Sequence, residues 1–371
     1  GTMDYFHASF FMDGPRVTFD QLGVLSGTLA IMGTGEMTIP GMDLDLTVSP
    51  YGIDFSDVKG QEHVKRALEV AAAGGHNVLL IGPPGAGKTM SAQRLPTILP
   101  PLSLEESLET TKVYSVAGLL APGESLLATR PFRSPHHTIS DVALVGGGAN
   151  PTPGEVSLSH HGVLFLDELP EFNRRTLEVL RQPMEDGHIT VSRAKASITY
   201  PSQFTLVAAM NPCPCGYFTD PRRACHCTPP QVQKYLSRIS GPLLDRIDIQ
   251  IETPAVDYRQ LRSAAPGDSS ATMRQRVLEA RERQTARFRR SKTPLNARMT
   301  SGQIKKHCGL AEDAEQLLSR AMQELALSAR AFTKILKISR TIADLDAAEE
   351  IQIAHVAEAI QYRSLDRNLW A

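Results

Sequence analysis

The chain has 371 residues, 39 Lys+Arg against 40 Asp+Glu and a net charge of −1, so no global field would hold it to nucleic acid or an anionic membrane, and any basic binding surface has to be local. That length allows two or three domains with substantial cores, and no apolar run approaches the ~20 residues that span a bilayer. Five cysteines, four of them in one short segment, argue against a secreted disulfide framework, and with no secretory signal in view a cytoplasmic location is expected.

Residues 1–50 carry the least pattern. Arg16-Val17-Thr18-Phe19 and Leu44-Asp45-Leu46-Thr47-Val48 alternate like short strands with Gly and Pro between them, which predicts a small β-rich or partly extended segment. From Asp54 the character changes, and helical periodicity through Val64, Ala67, Leu68 and Ala71 stops at Gly74-Gly75. Val78-Leu79-Leu80-Ile81 then reads as a buried strand that runs into Gly82-Pro83-Pro84-Gly85-Ala86-Gly87-Lys88-Thr89, a match to G-x-x-x-x-G-K-[ST]. A strand, a glycine loop and a following helix aim successive backbone N–H groups at one point. Phosphate oxygens fit there, with Lys88 reaching the β/γ-phosphates and the Thr89 hydroxyl holding Mg²⁺. ATP with Mg²⁺ is the expected ligand.

Two further apolar runs follow, Val163–Leu166 ending in Asp167-Glu168 and Phe204–Met210 ending in Asn211. Unbroken apolar strands separated by helical stretches predict an α/β fold, a parallel sheet covered on both faces, with its chemistry at the strands' C-terminal edge. Asp167 is expected near Mg²⁺, Glu168 as general base for the attacking water, and Asn211 as the amide that positions that water. Beyond about residue 255 the strand pattern ends, and helical stretches at 271–290, 300–307, 311–327, 331–346 and 352–362 predict an all-α lid. The expected division is 1–50, 51–255 and 256–371.

Cys213, Cys215, Cys225 and Cys227 form C-x-C-x9-C-x-C, in which four thiolates can close a structural Zn²⁺ site, His226 can replace one sulfur, and free or redox-active thiols are the alternative. Lys88 and Asp167 lie further apart than one strand and one helix require. The excess holds Arg130-Pro131-Phe132-Arg133-Ser134-Pro135-His136-His137-Thr138, whose Arg130 and Arg133 either contact DNA or order this insertion internally, as do the two histidines. Residues 187–200 read as two short strands around a basic tip, where Arg193 and Lys195 either grip phosphates or are ordinary exposed cations. The basic run from Arg281 to Lys292 reads as a solvated helix face.

In this order, AAGGHNVLLIGPPGAGKT, RPFRSPHHT, GVLFLDELPEF, MNPCPCGY and SGPLLDRIDI resemble the AAA+ ATPases and, more narrowly, the magnesium-chelatase-like ComM/YifB proteins, from about Tyr51 to near the C-terminus. The resemblance implies a ring-forming homo-oligomer, a hexamer, with nucleotide sites between subunits. It assigns Lys88 and Thr89 to the Walker A pair, Asp167 and Glu168 to the Walker B pair and Asn211 to sensor 1. It also implies that Arg246 is the arginine finger, Arg330 the sensor 2 arginine of the lid, and that Gln61 lines the adenine pocket. For Arg246 the competing reading is a structural pair with Asp245 or Asp248; for Arg330, the competitors are Lys334 and Arg340 on the same helical region. RPFRSPHHT falls where that clade carries its helix-2 insertion, and residues 187–200 where it carries a pre-sensor 1 hairpin. The implied activity is a DNA motor on single-stranded or branched DNA, performing branch migration of recombination intermediates in natural transformation. The alternatives are a chelatase-like protein-remodelling ATPase and a nucleotide-gated binding module that does not translocate. Members of the family usually carry a Lon-protease-like domain ahead of the ATPase; residues 3–50 are too few to supply it, and no Ser–Lys dyad is expected here.

Overall fold

The computed structural model describes residues 5–13, 16–26, 29–38, 43–49, 53–120, 125–147, 151–193, 196–218, 220, 222–255, 267–289 and 295–365, of which those before 50 and residues 192, 193 and 196 are described as backbone alone. Strands β1 (Tyr5–Asp13), β2 (Arg16–Ser26), β3 (Leu29–Thr38) and β4 (Asp43–Ser49) form an antiparallel meander in the order β1-β2-β3-β4. The segment is thus more regular than its two alternating runs suggest.

Next in the chain come β5 (Val78–Ile81) and β6 (Phe132–Arg133), the short pair β7 (Gly146–Gly147) and β8 (Thr152–Pro153), and β9 (Val163–Leu166). The hairpin β10 (His188–Arg193) and β11 (Ala196–Pro201) precedes β12 (Thr205–Met210) and β13 (Ile249–Glu252). Five of these make one parallel sheet in the order β13-β5-β12-β9-β6. Period-two alternation splits each central strand between two cores. Val78, Leu80, Val163, Phe165, Val207 and Ala209 enter one core, and Leu79, Ile81, Leu164, Leu166, Leu206 and Ala208 the other. Both faces are therefore dry, which is why these strands read as unbroken apolar runs.

Helix α1 (Glu62–Gly74) presents Val64, Ala67, Leu68 and Ala71 to the first core, and α2 (Lys88–Ile98) adds Ala92, Leu95 and Ile98. The helical lid continues that core through Met273, Val277 and Ala280 of the helix Ser270–Arg287 and Ile335, Ile338 and Ile342 of the helix Ala329–Leu345. Helices Ser301–His307, Glu312–Glu324 and Ile353–Gln361 complete it among the described residues.

Three cations of the basic run at 281–292, Arg281, Arg283 and Arg287, are not on a solvated face, whereas Arg289 is exposed. Arg281 donates to the carbonyl of Ala72 (2.6 Å) and Gln284 to that of Ala73 (3.0 Å), satisfying orphan acceptors at the C-terminus of α1. Arg283 donates to the Asp344 carbonyl and Arg287 pairs with the Asp344 carboxylate, so these guanidiniums bind the helix to its neighbours. Arg290 and Lys292 lie outside the described residues.

Sheet and lid meet at a partly buried carboxylate. Asp248, at the start of β13, accepts from the backbone N–H of Asn77 (3.1 Å), lies 3.1 Å from the Lys334 ammonium of the lid and 3.6 Å from His76 Nδ1. Burial alone would raise its pKa, but Lys334, His76 and the Asn77 N–H outweigh it and hold the carboxyl far below the ordinary carboxylate range. Substituting Asp248→Asn removes the carboxylate facing Lys334, whose ammonium keeps only the Ile247 carbonyl (2.8 Å), and should cost about 3 kcal/mol in denaturant unfolding at neutral pH. Because the folded pKa is depressed, the parent's advantage is full above the unfolded value of about 3.9 and disappears as pH falls towards the folded one.

Candidate nucleotide-hydrolysis site

The phosphate loop leaves β5 between the exits of its two neighbours. Gly82 N–H bonds to the Met210 carbonyl at the end of β12 (3.2 Å), and a Cβ on Gly82 would stand 2.0 Å from the Thr253 carbonyl just past β13. No side chain fits at that position. Pro83 and Pro84 carry the chain outward, Gly85 and Gly87 take positive φ (76° and 84°), and Gly87 is the N-cap from which α2 begins at Lys88. Gln61, itself at φ 57°, donates its amide to the Ala86 carbonyl (2.7 Å) and the Pro254 carbonyl (2.8 Å), which clamps the loop to the strand exit. Its amide hydrogens are thereby spent on backbone, so any polar contact with a base would come from its carbonyl oxygen.

Lys88 Nζ folds back onto the carbonyls of Gly82 (2.7 Å) and Pro83 (2.9 Å) and onto Asn211 Oδ1 (3.1 Å). Thr89 Oγ1 donates to Asp167 Oδ2 (2.6 Å). Since β12 lies between β5 and β9, Asn211 stands between the lysine and the acids, as the order of strands dictates. Glu168 takes φ 51°, a left-handed conformation uncommon outside glycine, and donates its N–H to Asp167 Oδ1 (2.9 Å). The turn leaves the Glu168 side chain 58% exposed while Asp167 faces Thr89. Two adjacent carboxylates thus acquire two environments. Burial pushes the Lys88 ammonium down to about 8, with Asp167 and Glu168 offsetting part of the effect.

The donor sets fit the expected metals. Thr89 Oγ1 and Asp167 Oδ2 are hard oxygens converging beside the loop, the chemistry Mg²⁺ takes. The four sulfurs of Cys213, Cys215, Cys225 and Cys227 all lie within 4.8 Å of one another, with separations of 3.4, 3.6 and 3.7 Å among Cys213, Cys215 and Cys225. A tetrahedron of 2.3 Å Zn–S bonds has edges of about 3.8 Å. His226 is exposed and stands outside the group. Burial pushes the Cys213 thiol up to about 12, whereas backbone N–H groups, that of Tyr217 foremost, pull Cys215 down to about 6. This loop also abuts the nucleotide cradle: at Gly216 (φ 87°) a Cβ would lie 2.5 Å from Pro84 Cδ.

A second histidine-carboxylate group is structural. His160 Nδ1 accepts from the Gln203 N–H (3.0 Å), so its proton sits on Nε2, which faces Glu109 Oε2 at 3.3 Å; His161 Nε2 meets the same oxygen at 2.9 Å. Burial drives His160 down to about 4 and keeps it neutral, so Nε2 donates to the carboxylate and offers no lone pair to a metal.

Arg246 and Arg330 are not brought to this cradle. Arg246 lies at the N-terminal ends of the strands, its carbonyl accepting from Asn77 just ahead of β5, whereas the phosphate loop lies past the other end. Four strand residues separate the two levels by about 13 Å. Its guanidinium binds the Pro242 carbonyl (2.5 Å) and Glu185, so neither Asp245 nor Asp248 is its partner. Glu185 comes from far upstream in the chain, and nothing in the local sequence signals it. Asp245 instead pairs with Arg330 (2.8 Å), whose side chain is 67% exposed. Of the three cations considered for the lid role, Lys334 is tied to Asp248 and Arg340 to Asp344 (3.1 Å), which leaves Arg330 as the exposed one.

For Arg130 and Arg133 the structure shows internal partners, the second of the two readings the sequence offered. Arg130 donates to the carbonyls of Pro100, Pro101 and His161 and pairs with Glu106 (2.8 Å), and Arg133 forms a two-point pair with Glu155 (2.6 and 2.7 Å). Both guanidiniums order the insertion instead of facing solvent as free cations. The Arg193 side chain and the whole of Lys195 lie outside the described residues.

In order of appearance within the sheet the five parallel strands run fifth-first-fourth-third-second, and with a phosphate loop, strand-end acids and a helical lid they define an AAA+ nucleotide-binding module. Family models narrow that class. The model for magnesium chelatase, subunit ChlI, matches residues 54–261 and that for the subunit ChlI C-terminal part matches 267–363; the chain belongs to this family. Protein YifB of Salmonella typhimurium and that of Escherichia coli are each 51% identical over 317 residues, and competence protein ComM of Haemophilus influenzae is 47% identical over 321. Each alignment covers 85% of this chain and 61% of the relative, so the chain spans about three-fifths of the length of these relatives. The magnesium-chelatase 38 kDa subunit of Rhodobacter capsulatus is 28% identical over 177 residues. No helix among the described residues is long and apolar enough to cross a membrane.

A triphosphate beside Lys88 adds negative charge and should raise the ammonium's depressed pKa. Titration calorimetry with a non-hydrolysable ATP analogue, in buffers of different ionisation enthalpy, should therefore register proton uptake at about pH 8.5 that vanishes near pH 6.5. Gly82→Ala should abolish that binding, because the new Cβ overlaps the Thr253 carbonyl.

Proposed function

We propose that the protein is a Mg-ATP hydrolase that works as a ring and drives a DNA motor. What carries the reading is the pairing of Lys88 with Asn211 and Thr89 with Asp167, and Glu168 turned out beside them. In the proposed reaction Glu168 takes a proton from water as the water oxygen bonds to the γ-phosphorus. The bond from that phosphorus to the β,γ-bridging oxygen breaks, and ADP carries the electron pair away. Asn211 orients the water, and Lys88 turns from its carbonyls to the phosphates. Mg²⁺, held by Asp167 and the Thr89 hydroxyl, would neutralise phosphate charge.

Arg246 supports the ring. It stands a strand's length from its own cradle, on the face that also presents Arg330, so the guanidiniums serve the site of an adjacent subunit. Glu185 parks Arg246 until that partner docks. The two cations can thus report assembly to hydrolysis. The DNA step rests on the likeness to the competence protein ComM and on the β10–β11 hairpin, in which Arg193 pairs with Ala196; Arg130 and Arg133 are engaged within their own insertion. The four-cysteine loop, as a Zn²⁺ site, buttresses Pro84 through Gly216.

Glu168→Gln should bind ATP and fail to turn it over. Lys88→Ala and Arg246→Ala, each inactive alone, should regain hydrolysis when mixed, because some seams then pair an intact cradle with an intact guanidinium. A mixture that stays inactive while it assembles refutes the shared site. Hydrolysis measured with single-stranded, duplex and four-way-junction DNA should rise with a branched substrate, whereas indifference to all three points to a chelatase-like motor acting on protein. Metal analysis of protein purified without chelators should find one zinc per chain, lost in the Cys225→Ser variant.

A further inference from the structure

The four-cysteine group is built into the chain between two parts of the hydrolysis site. Asn211 follows β12 and accepts from Lys88 Nζ (3.1 Å), and the first thiol, Cys213, comes two residues later. There the backbone closes a tight turn, Gly216 N–H to the Cys213 carbonyl at 3.0 Å. Gly216 is buried and takes φ 87°. A Cβ built on it would stand 2.5 Å from Pro84 Cδ, 2.8 Å from Pro84 Cγ and 3.8 Å from Asn211 Cγ. The turn is thus wedged between the phosphate loop and the Asn211 amide. At the far end, Cys227 runs directly into Thr228, the N-cap of the helix Pro229–Leu236, whose Val232 and Tyr235 share a core with Cys213.

Three backbone N–H groups in this segment are aimed at sulfur: Cys215 donates to Cys227 Sγ (3.4 Å), Cys227 to Cys225 Sγ (3.4 Å) and Phe218 to Cys213 Sγ (3.3 Å). Donors of this kind orient metal-bound thiolates and spread their charge. The four cysteines are free thiols, and only Cys213 is fully buried, so apolar packing anchors one end of the group and leaves the other three sulfurs to a metal. Closing the segment from Cys213 to Cys227 costs chain entropy, which a four-sulfur metal site offsets. Whatever fixes the turn also fixes Pro84, and with it the backbone N–H groups of the phosphate loop. We propose that metal occupancy of the four-cysteine group and triphosphate binding in the cradle are coupled: the loaded group holds the Cys213–Gly216 turn against Pro84 and Asn211, so each ligand raises the affinity for the other. This rests on the cysteines being a Zn²⁺ site and on the loop being a triphosphate cradle. By linkage the two effects are equal in size.

The full chain, zinc-loaded and stripped of metal under reducing conditions, tests the coupling through its affinity for a fluorescent non-hydrolysable ATP analogue. Zinc affinity is read by competition with a chromogenic chelator, with and without saturating analogue. Loading should tighten analogue binding about tenfold, and the analogue should tighten zinc binding by the same factor. Gly216→Ala separates this contact from a general role of the metal in folding. Its new methyl meets Pro84 whenever the turn is held, so the loaded variant should keep one zinc per chain and lose about tenfold in analogue affinity. Stripping the variant relaxes the turn and should restore part of that loss, opposite in sign to the parent. Equal analogue affinity in loaded and stripped parent overturns the proposal. So does an equal fall on stripping in parent and variant together with loss of helical circular dichroism, which would make the metal a folding element alone. A parent that takes up no zinc ends the metal reading and the coupling with it, whereas a zinc-loaded parent that binds no analogue ends the cradle reading.

Discussion

Asp248 is the point on which the rest of the structure turns. One partly buried carboxylate takes the Asn77 N–H at the foot of β5, the His76 ring beyond the end of α1 and the Lys334 ammonium from the lid. Arg246 lies two residues before it, and Arg330 one helical turn before Lys334. Both guanidiniums, the largely covered Arg246 and the exposed Arg330, are therefore referenced to the same carboxylate. A pair of this kind stabilises little compared with an apolar replacement, but breaking one half leaves the other stranded, which makes it a geometric specification more than a source of free energy. The lid cannot hinge here without separating these charges.

The opposite end of the sheet is governed by crowding. Gly82 passes between the exits of β12 and β13 with no room for a Cβ, Gln61 ties the loop at Ala86, and Gly216 of the cysteine loop presses on Pro84. Backbone N–H groups held by neighbours on three sides bind phosphate without first paying to become ordered. The cysteine loop follows directly on Asn211, so the four-sulfur group, the Asn211 amide and the phosphate loop share one short stretch of contacts. His137 Nδ1 stands 3.4 Å from Glu168 Oε2 at the same sheet edge.

Much of this was legible in one dimension. Val78–Ile81, Val163–Leu166 and Phe204–Met210 announce buried strands because both faces of the sheet are covered, and the glycines of the phosphate loop mark positive φ before any coordinates exist. The lid helices follow from their periodicity, observed at Ser270–Arg287, Ser301–His307, Glu312–Glu324, Ala329–Leu345 and Ile353–Gln361. Cations were the least legible residues. Arg130, Arg133, Arg281 and Arg287 look alike as letters, yet each is committed to a carbonyl or carboxylate from a distant segment. Whether a charge is free depends on its partners, and those lie far away in sequence.

The amino-acid order alone determined the α/β class, the cradle for a triphosphate, the acids that follow β9 and the four-sulfur group, because each is a local feature: a run of apolar residues, a loop of glycines, a carboxylate at a strand end, a fixed spacing of thiols. Only the tertiary structure decided that Arg246 and Arg330 face away from their own cradle, that the insertion's arginines are spent internally, and that His137 meets Glu168. Those outcomes depend on which strand lies beside which, and parallel pairing places side by side the ends of segments that are many residues apart.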